Sequence, residues 1–265
     1  SCSKLDWKRW HKGDDKFLVP SCDVQKVYAA AEGGGVDVEM KKTYYGNGQV
    51  KTVGFYTHSA LGGGSSWHSF QLNYNATDLT VDIIDSANGE VVLKAVFNAS
   101  GRLEELESVL GDTSDYAYRR FDYDEGHLLR IYGRWKTFDF IETFSYDANG
   151  NIVRHETVSS DGTVTEDAKF TYGAAAGDNR QFYIPQFNYL TVVDPSMALI
   201  EYLGWVKDFS PKNILTRIEY LQPLPQADDF TGHVFNGGKL TSYTINDFVG
   251  GTKHIDWRCT GLLLP

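Results

Sequence analysis

The acidic side chains between Phe121 and Val158 are the first place to look for chemistry. Asp122 and Asp124 fall on one face of an extended segment, and Asp139 shares a face with Ser145. Two carboxyl groups flanking a cleft can hydrolyse a glycosidic bond when ~5 to 9.5 Å separates them. Solvated carboxylates at strand ends are a commoner cause of the same pattern. His58 and His68 flank the break Gly62-Gly63-Gly64 and can approach each other, but no third ligand at a suitable spacing completes a metal site. Asp147-Ala148-Asn149-Gly150 and Asp85-Ser86-Ala87-Asn88-Gly89 have the composition of a calcium loop without its spacing or terminal Glu. Hairpin turns need these same residues. No Gly-x-Ser-x-Gly, His-Glu-x-x-His or phosphate loop occurs. The sequence therefore assigns no catalytic residue, no metal and no cofactor.

Aromatic residues carry the better lead. Trp67, Tyr132, Trp135 and Trp205 fall at or near turns or element ends. A surface ring can stack on a sugar or anchor a protein partner. Packing against neighbouring strands accounts for each of them as well. These four are the candidate ligand-binding residues.

The elements that must position them read as hairpins. Turn residues recur from Gly46-Asn47-Gly48 to Asp161-Gly162, passing through Asn88-Gly89, Ser100-Gly101, Glu125-Gly126, Gly133-Arg134 and Asn149-Gly150. Gly89 to Gly101 and Gly150 to Gly162 are both 12 positions, so a hairpin spans about two dozen residues. The spacing predicts strands over 49–57, 69–74, 79–84, 91–97, 103–109, 116–123, 127–132, 138–146, 152–158 and 164–172, with 214–221, 239–245 and 253–259 following. The segment 24–31 reads as strand or short helix, and 182–193, with Pro185 inside it, as an edge or irregular strand. A helix is predicted over 195–203, with Asp194 as N-cap, Pro195 first, a buried stripe of Leu199, Ile200 and Leu203, and Gly204 as the left-handed stop. The expected fold is all-β: a large, twisted or curved antiparallel up-and-down meander of roughly a dozen strands. One short helix plugs an open face or end. Residues 1–21 read as a tether and 22–265 as one domain, with hairpin repeats over 22–172 and a C-terminal part over 173–265.

Composition limits the partners. A net charge of −10 over 265 residues offers nothing to neutralise a phosphate backbone, which argues against nucleic acid. The aromatic share of 14%, with 16 Tyr and 15 Phe, favours strands. No apolar run approaches the ~20 residues of a membrane helix. Cysteines stand at positions 2, 22 and 259. Ser1-Cys2 before a charged stretch resembles the mature end of a bacterial lipoprotein, whose Cys carries the lipid. Cys22 and Cys259 are then an even pair in an oxidising compartment, either bonded or two buried thiols.

The tracts Tyr44-Tyr45-Gly46-Asn47-Gly48-Gln49-Val50, Phe97-Asn98-Ala99-Ser100-Gly101-Arg102-Leu103, Phe121 to Leu128 and Phe144 to Ile152 resemble the YD (Rhs-type) repeat. The match is good at Phe144 to Ile152 and looser elsewhere. The chain as a whole resembles hairpin-repeat lipoproteins of the Gram-negative envelope, with Leu203-Gly204-Trp205 as a C-terminal stop. The resemblance implies an outer-membrane, lipid-anchored address, periplasmic or surface-exposed, and supplies no catalytic residues. The expected function is a monomeric, non-catalytic binding or scaffold protein for an envelope protein or a glycan. A polysaccharide hydrolase and a carrier of an apolar small molecule are the alternatives.

Overall fold

The computed structural model describes residues 22–30, 35–58, 65–111, 116–175, 195–209, 211–222, 225–246 and 251–259. Sixteen strands follow one another: β1 (Cys22–Ala30), β2 (Val36–Tyr44), β3 (Val50–His58), β4 (Ser65–Asn75), β5 (Thr80–Asp85), β6 (Val91–Phe97), β7 (Leu103–Ser108), β8 (Tyr118–Asp124), β9 (His127–Trp135), β10 (Phe138–Tyr146), β11 (Ile152–Ser159), β12 (Val164–Ala175), then β13 (Asn213–Gln222), β14 (Gln226–Asn236), β15 (Lys239–Asn246) and β16 (Gly251–Cys259). Between β12 and β13 lies the helix α1 (Ser196–Leu203). Each strand pairs antiparallel with its sequence neighbours, and β16 returns to β1. The expected open or half-open sheet is therefore corrected to a closed barrel. Turns are local and show in the sequence, whereas closure pairs the first strand with the last and has no local signal. Closure also removes both exposed edges of the sheet.

Two strand-level expectations change as well. The predicted turn at Gly133-Arg134 lies inside β9, and the chain reverses instead at Lys136, which takes φ 55°. Gly133 is needed for a different reason. Phe140, its cross-strand partner, lies over it, and an added Cβ would sit 2.0 Å from the ring. A glycine within a strand marks such close approaches. The strands β2 and β14 escaped the sequence reading; in β14, Asp228, Asp229, Gly232 and His233 interrupt the apolar residues. The residues 1–21, the Gly62-Gly63-Gly64 break, the predicted strand over 182–193 and Asp194 lie outside the described residues.

The two-dozen-residue period has a physical basis in a belt of aromatic side chains at one end of the barrel. Tyr44, Tyr74, Tyr123, Tyr146 and Tyr172 close their strands, and each donates its hydroxyl to a carbonyl at the start of the preceding strand. The acceptors are Val24 (3.3 Å), Val50 (3.0 Å), Leu103 (2.9 Å), Leu128 (2.6 Å) and Ile152 (2.6 Å). Trp257 does the same to Leu240 through its indole N–H at 2.7 Å. Register shifts precede Tyr44↔Val50, Phe97↔Leu103, Tyr123↔Leu128, Tyr146↔Ile152 and Phe235↔Leu240, so these five hairpins carry a bulge beside the aromatic residue. In the turn between, the Asp147 carboxylate accepts the N–H of Asn149 (2.8 Å) and Asn151 (2.9 Å), and Asn98 accepts those of Ser100 and Arg102. This is the work of the aromatic, Asx and apolar positions of the repeat.

The two faces of the wall differ in kind. Inward positions such as Val53, Phe55, Phe70, Leu72, Ile83, Leu93, Leu106 and Ile131 are fully buried. Outward positions on the same strands carry Lys41, Thr43, Gln71, Asn73, Asp82, Lys94, Glu105, Arg120, Arg130, Glu156, Lys169 and Glu219. Cross-strand pairs run over this outer face, among them Arg154 to Asp167 (2.8 Å), Arg217 to Asp229 (2.7 Å) and Thr43 to Thr52 (2.6 Å). Among the described residues, the large apolar side chains exposed on strands, namely Val36, Tyr56, Trp67, Leu129, Phe138, Ile141, Val164 and Val234, are spread over seven strands. A membrane-spanning barrel has the opposite arrangement, with an apolar band ~25 Å tall outside.

The helix fills the inside. Tyr202 packs on Phe55 of β3 with ring centroids 5.1 Å apart, and Ser196 meets Arg119 of β8. Ser196 to Tyr202 are all buried, so the expected one-sided stripe is corrected to burial all round. Wall surrounds the helix and leaves it no solvent face. Gly204 ends it in the left-handed region (φ 66°, ψ 27°), with its N–H on Glu201 O at 2.8 Å and Trp205 N–H on Ile200 O at 3.2 Å. Beyond it, Asp208 accepts from the Leu128 N–H at 2.8 Å and pairs with His127 Nδ1 at 2.8 Å. Asn151 accepts the Lys212 N–H at 2.7 Å.

Candidate functional site

The four aromatic candidates do not meet. Trp67 lies on the outer face of β4, 37% exposed, edge-on to Tyr56 at 4.8 Å and with the Lys41 Nζ 5.4 Å from its centroid. Its indole covers Gly54, where an added Cβ would come within 2.4 Å of the ring. Tyr132 sits on the outer face of β9 under the Arg120 guanidinium at 4.6 Å. Trp135 ends β9, and its indole N–H is buried with no hydrogen-bond partner among the described residues. Trp205 packs edge-on against Phe97 at 5.2 Å.

The acidic candidates are also dispersed. Asp122 faces Arg120 at 3.6 Å, and Asp139 pairs with Arg134 at 2.6 Å, both on the solvated outer face. His68 points inward, with Nε2 2.9 Å from the Thr57 hydroxyl; burial lowers its pKa against the opposing pull of Asp85. The His58 side chain lies outside the described residues. Among the described residues no group of His, Cys, Asp and Glu can hold a metal ion. Cys22 and Cys259 are directly opposite in the β1–β16 seam, with Cα atoms 4.0 Å apart, and a disulfide joins them.

A polar cluster inside the barrel is the site that sequence reasoning missed. Arg119 on β8, Glu142 on β10 and His155 on β11 are 3%, 5% and 1% exposed. Glu142 accepts from Arg119 Nε at 3.4 Å and lies 3.1 Å from His155 Nε2. Arg119 also donates to the Ser196 hydroxyl at the head of α1. Thr157 extends the chain to Glu166 at 3.1 Å. Burial alone would raise Glu142, but the His155 hydrogen bond and the Arg119 charge outweigh it and hold the carboxyl below its ordinary range. Burial likewise lowers His155, and Glu142 more than reverses it, so the imidazole is raised and carries a proton more readily. Glu201 on α1 behaves differently. Burial, with Glu142 beside it, pushes Glu201 well above the carboxylate range. The signal was present in the sequence as a charged residue in the middle of an apolar face, Phe140-x-Glu142-x-Phe144.

A depressed and a raised carboxyl side by side is an arrangement that acid–base catalysis uses. Here both are enclosed by wall and helix, and the cluster's direct contact is with α1. It ties the helix to the wall. Burial raises four of the belt tyrosines, Tyr74, Tyr123, Tyr146 and Tyr172, which therefore remain phenols and donors.

Wall, helix and cluster define a closed, helix-filled antiparallel barrel. Two solved structures are similar to it in fold. A porin-like protein from Bacteroides uniformis superposes with a TM-score of 0.56 at 14% identity, covering 88% of this chain and 96% of that one. A porin-like protein from Bacteroides vulgatus gives 0.55 at 12% identity, covering 89% and 98%. At such identities the likeness is one of fold. No family model and no curated protein matches the chain, so the YD-type resemblance gains no support from them.

Proposed function

We propose that this chain is a non-catalytic barrel of the cell envelope that stands in water, held at the membrane by lipid on Cys2, and that binds or scaffolds through its outer surface. The polar outer face carries the reading. Burying the charges of Arg120, Arg130, Lys169 and Glu219 in hydrocarbon would be costly, by ~2–4 kcal/mol for each Arg or Lys near the midplane. The filled inside weighs against a carrier with an apolar hollow, because α1 occupies the space that a ligand would need. The dispersed, solvated carboxylates weigh against the hydrolase. Partners of the expected kinds, an envelope protein or a glycan, would then meet the outer wall, where Trp67 offers the most exposed of the four candidate rings.

Fractionation of cells expressing the exported wild type and Cys2→Ser tests both halves. The wild type should sediment with membranes and the variant should move to the soluble fraction. A variant that stays in the pellet and needs detergent refutes the water-facing barrel. A wild type found soluble refutes the lipid anchor.

A further inference from the structure

Helix α1 brings a carboxylic acid into the middle of the barrel without giving it a partner. Glu201 is 3% exposed, and neither of its oxygens has a hydrogen-bond partner among the described residues. On one side it faces Glu142 of β10, itself held by Arg119 and His155, with Glu166 behind them. The next helix residue, Tyr202, feels Glu39 of β2 and Tyr243 of β15, and Glu39 pairs with Lys253 of β16. Arg119 and Lys253 are each engaged by another carboxylate. An ionised Glu201 would therefore add a second negative charge beside Glu142 with no assigned cation to hold it. Such a group keeps its proton.

We propose that α1 is a proton-locked plug: protonated Glu201 retains the helix inside the barrel, and loss of that proton releases it while the wall stays closed. The wall has its own fastening, because seven residue pairs and the Cys22–Cys259 disulfide close the seam without the helix. The sign is fixed by the raised acid. Its contribution to retention is fully present below the ordinary value of 4.5 and is lost as pH rises through the folded value. Between those two values one proton is lost on release, so the open population grows about tenfold per pH unit there and levels off above the folded value.

Amide hydrogen exchange on the full chain between pH 5 and 9, corrected for intrinsic rates, tests this. Protection of residues 196–203 should fall about tenfold per pH unit from pH 5 up to the folded Glu201 value and level off above it, with β4 and β5 unchanged. Glu201→Gln, or Glu201→Met should the first fold poorly, should keep the helix protected at pH 9. Helix protection that is flat with pH, or helix and wall loosening together, overturns the proposal. So does a steep course that survives in Glu201→Gln and disappears in His155→Phe, since that assigns the lock to the imidazole.

Discussion

Replacing Glu142 by Gln removes one charge from the barrel and leaves two groups facing the gap. Arg119 and His155, 3% and 1% exposed, both depend on this carboxylate, at 3.4 and 3.1 Å. Breaking a buried ion pair by removing one partner costs about 3–5 kcal/mol, because the remaining charge stays desolvated. At about 2–4 °C of Tm per kcal/mol for a domain of this size, thermal unfolding should fall by about 6–20 °C. Glu142 is depressed, so its contribution is present above the ordinary 4.5 and lost as pH falls through its folded value. His155 is raised, so its contribution is present below the ordinary 6.5 and lost as pH rises through its folded value. The gap between wild type and Glu142→Gln should then be widest between those two values and narrow on either side. Calorimetry at a series of pH values reads it directly. The double variant Arg119→Met/Glu142→Leu should cost far less than the two single changes added together, since no charge is stranded. A Glu142→Gln protein within about 1 kcal/mol of wild type near pH 6 refutes the reasoning.

Two further outcomes follow from the belt and the seam. Tyr146→Phe keeps the ring but leaves the Leu128 carbonyl without its 2.6 Å donor, and should lose about 0.5–1.5 kcal/mol in urea unfolding; no loss means that water replaces the hydroxyl. Reducing the disulfide, or Cys22→Ser, frees a closure of 237 positions and should lower stability by several kcal/mol, about 5 at most on the chain-entropy model; a reduced protein with an unchanged midpoint shows that strand pairing alone closes the seam.

The residues that announced themselves in the sequence were those whose work is local. Asp147, Asn149 and Gly150 form their turn within five positions, and Gly204 ends its helix by bonding Glu201 and Ile200. The aromatic at each strand end stood out by its period, although its purpose, a hydrogen bond back to a carbonyl 17 to 24 positions earlier, needed coordinates. Contacts between distant elements were not legible. Arg119 and Ser196 are 77 positions apart, and no spacing rule joins them. Glu142 stands between Phe140 and Phe144 on an aromatic face, and a carboxylate at an inward position must find a cation or a proton; it found Arg119 and His155. Gly133 misled for the converse reason: a glycine under an aromatic ring looks, in sequence, the same as a glycine at a turn.

The helix and the polar outer wall are two consequences of one constraint. Small barrels fill with their own side chains, whereas closed barrels of sixteen strands in porins leave room for an aqueous channel. A channel suits a barrel whose inward positions are polar and whose outward positions meet lipid. This chain reverses both choices: Phe55, Leu72, Ile83 and Leu106 point inward, while Lys41, Asn73 and Glu105 point out. Apolar walls around a water-filled space would forfeit the driving force for closing them. Something apolar from the chain itself must occupy the middle, and Met197, Leu199, Ile200 and Tyr202 do so. The plug therefore keeps the apolar inner wall out of water, and on its release the seam pairing and the Cys22–Cys259 disulfide are what hold the barrel closed. A single unpaired acid on that plug thus holds influence over the whole interior.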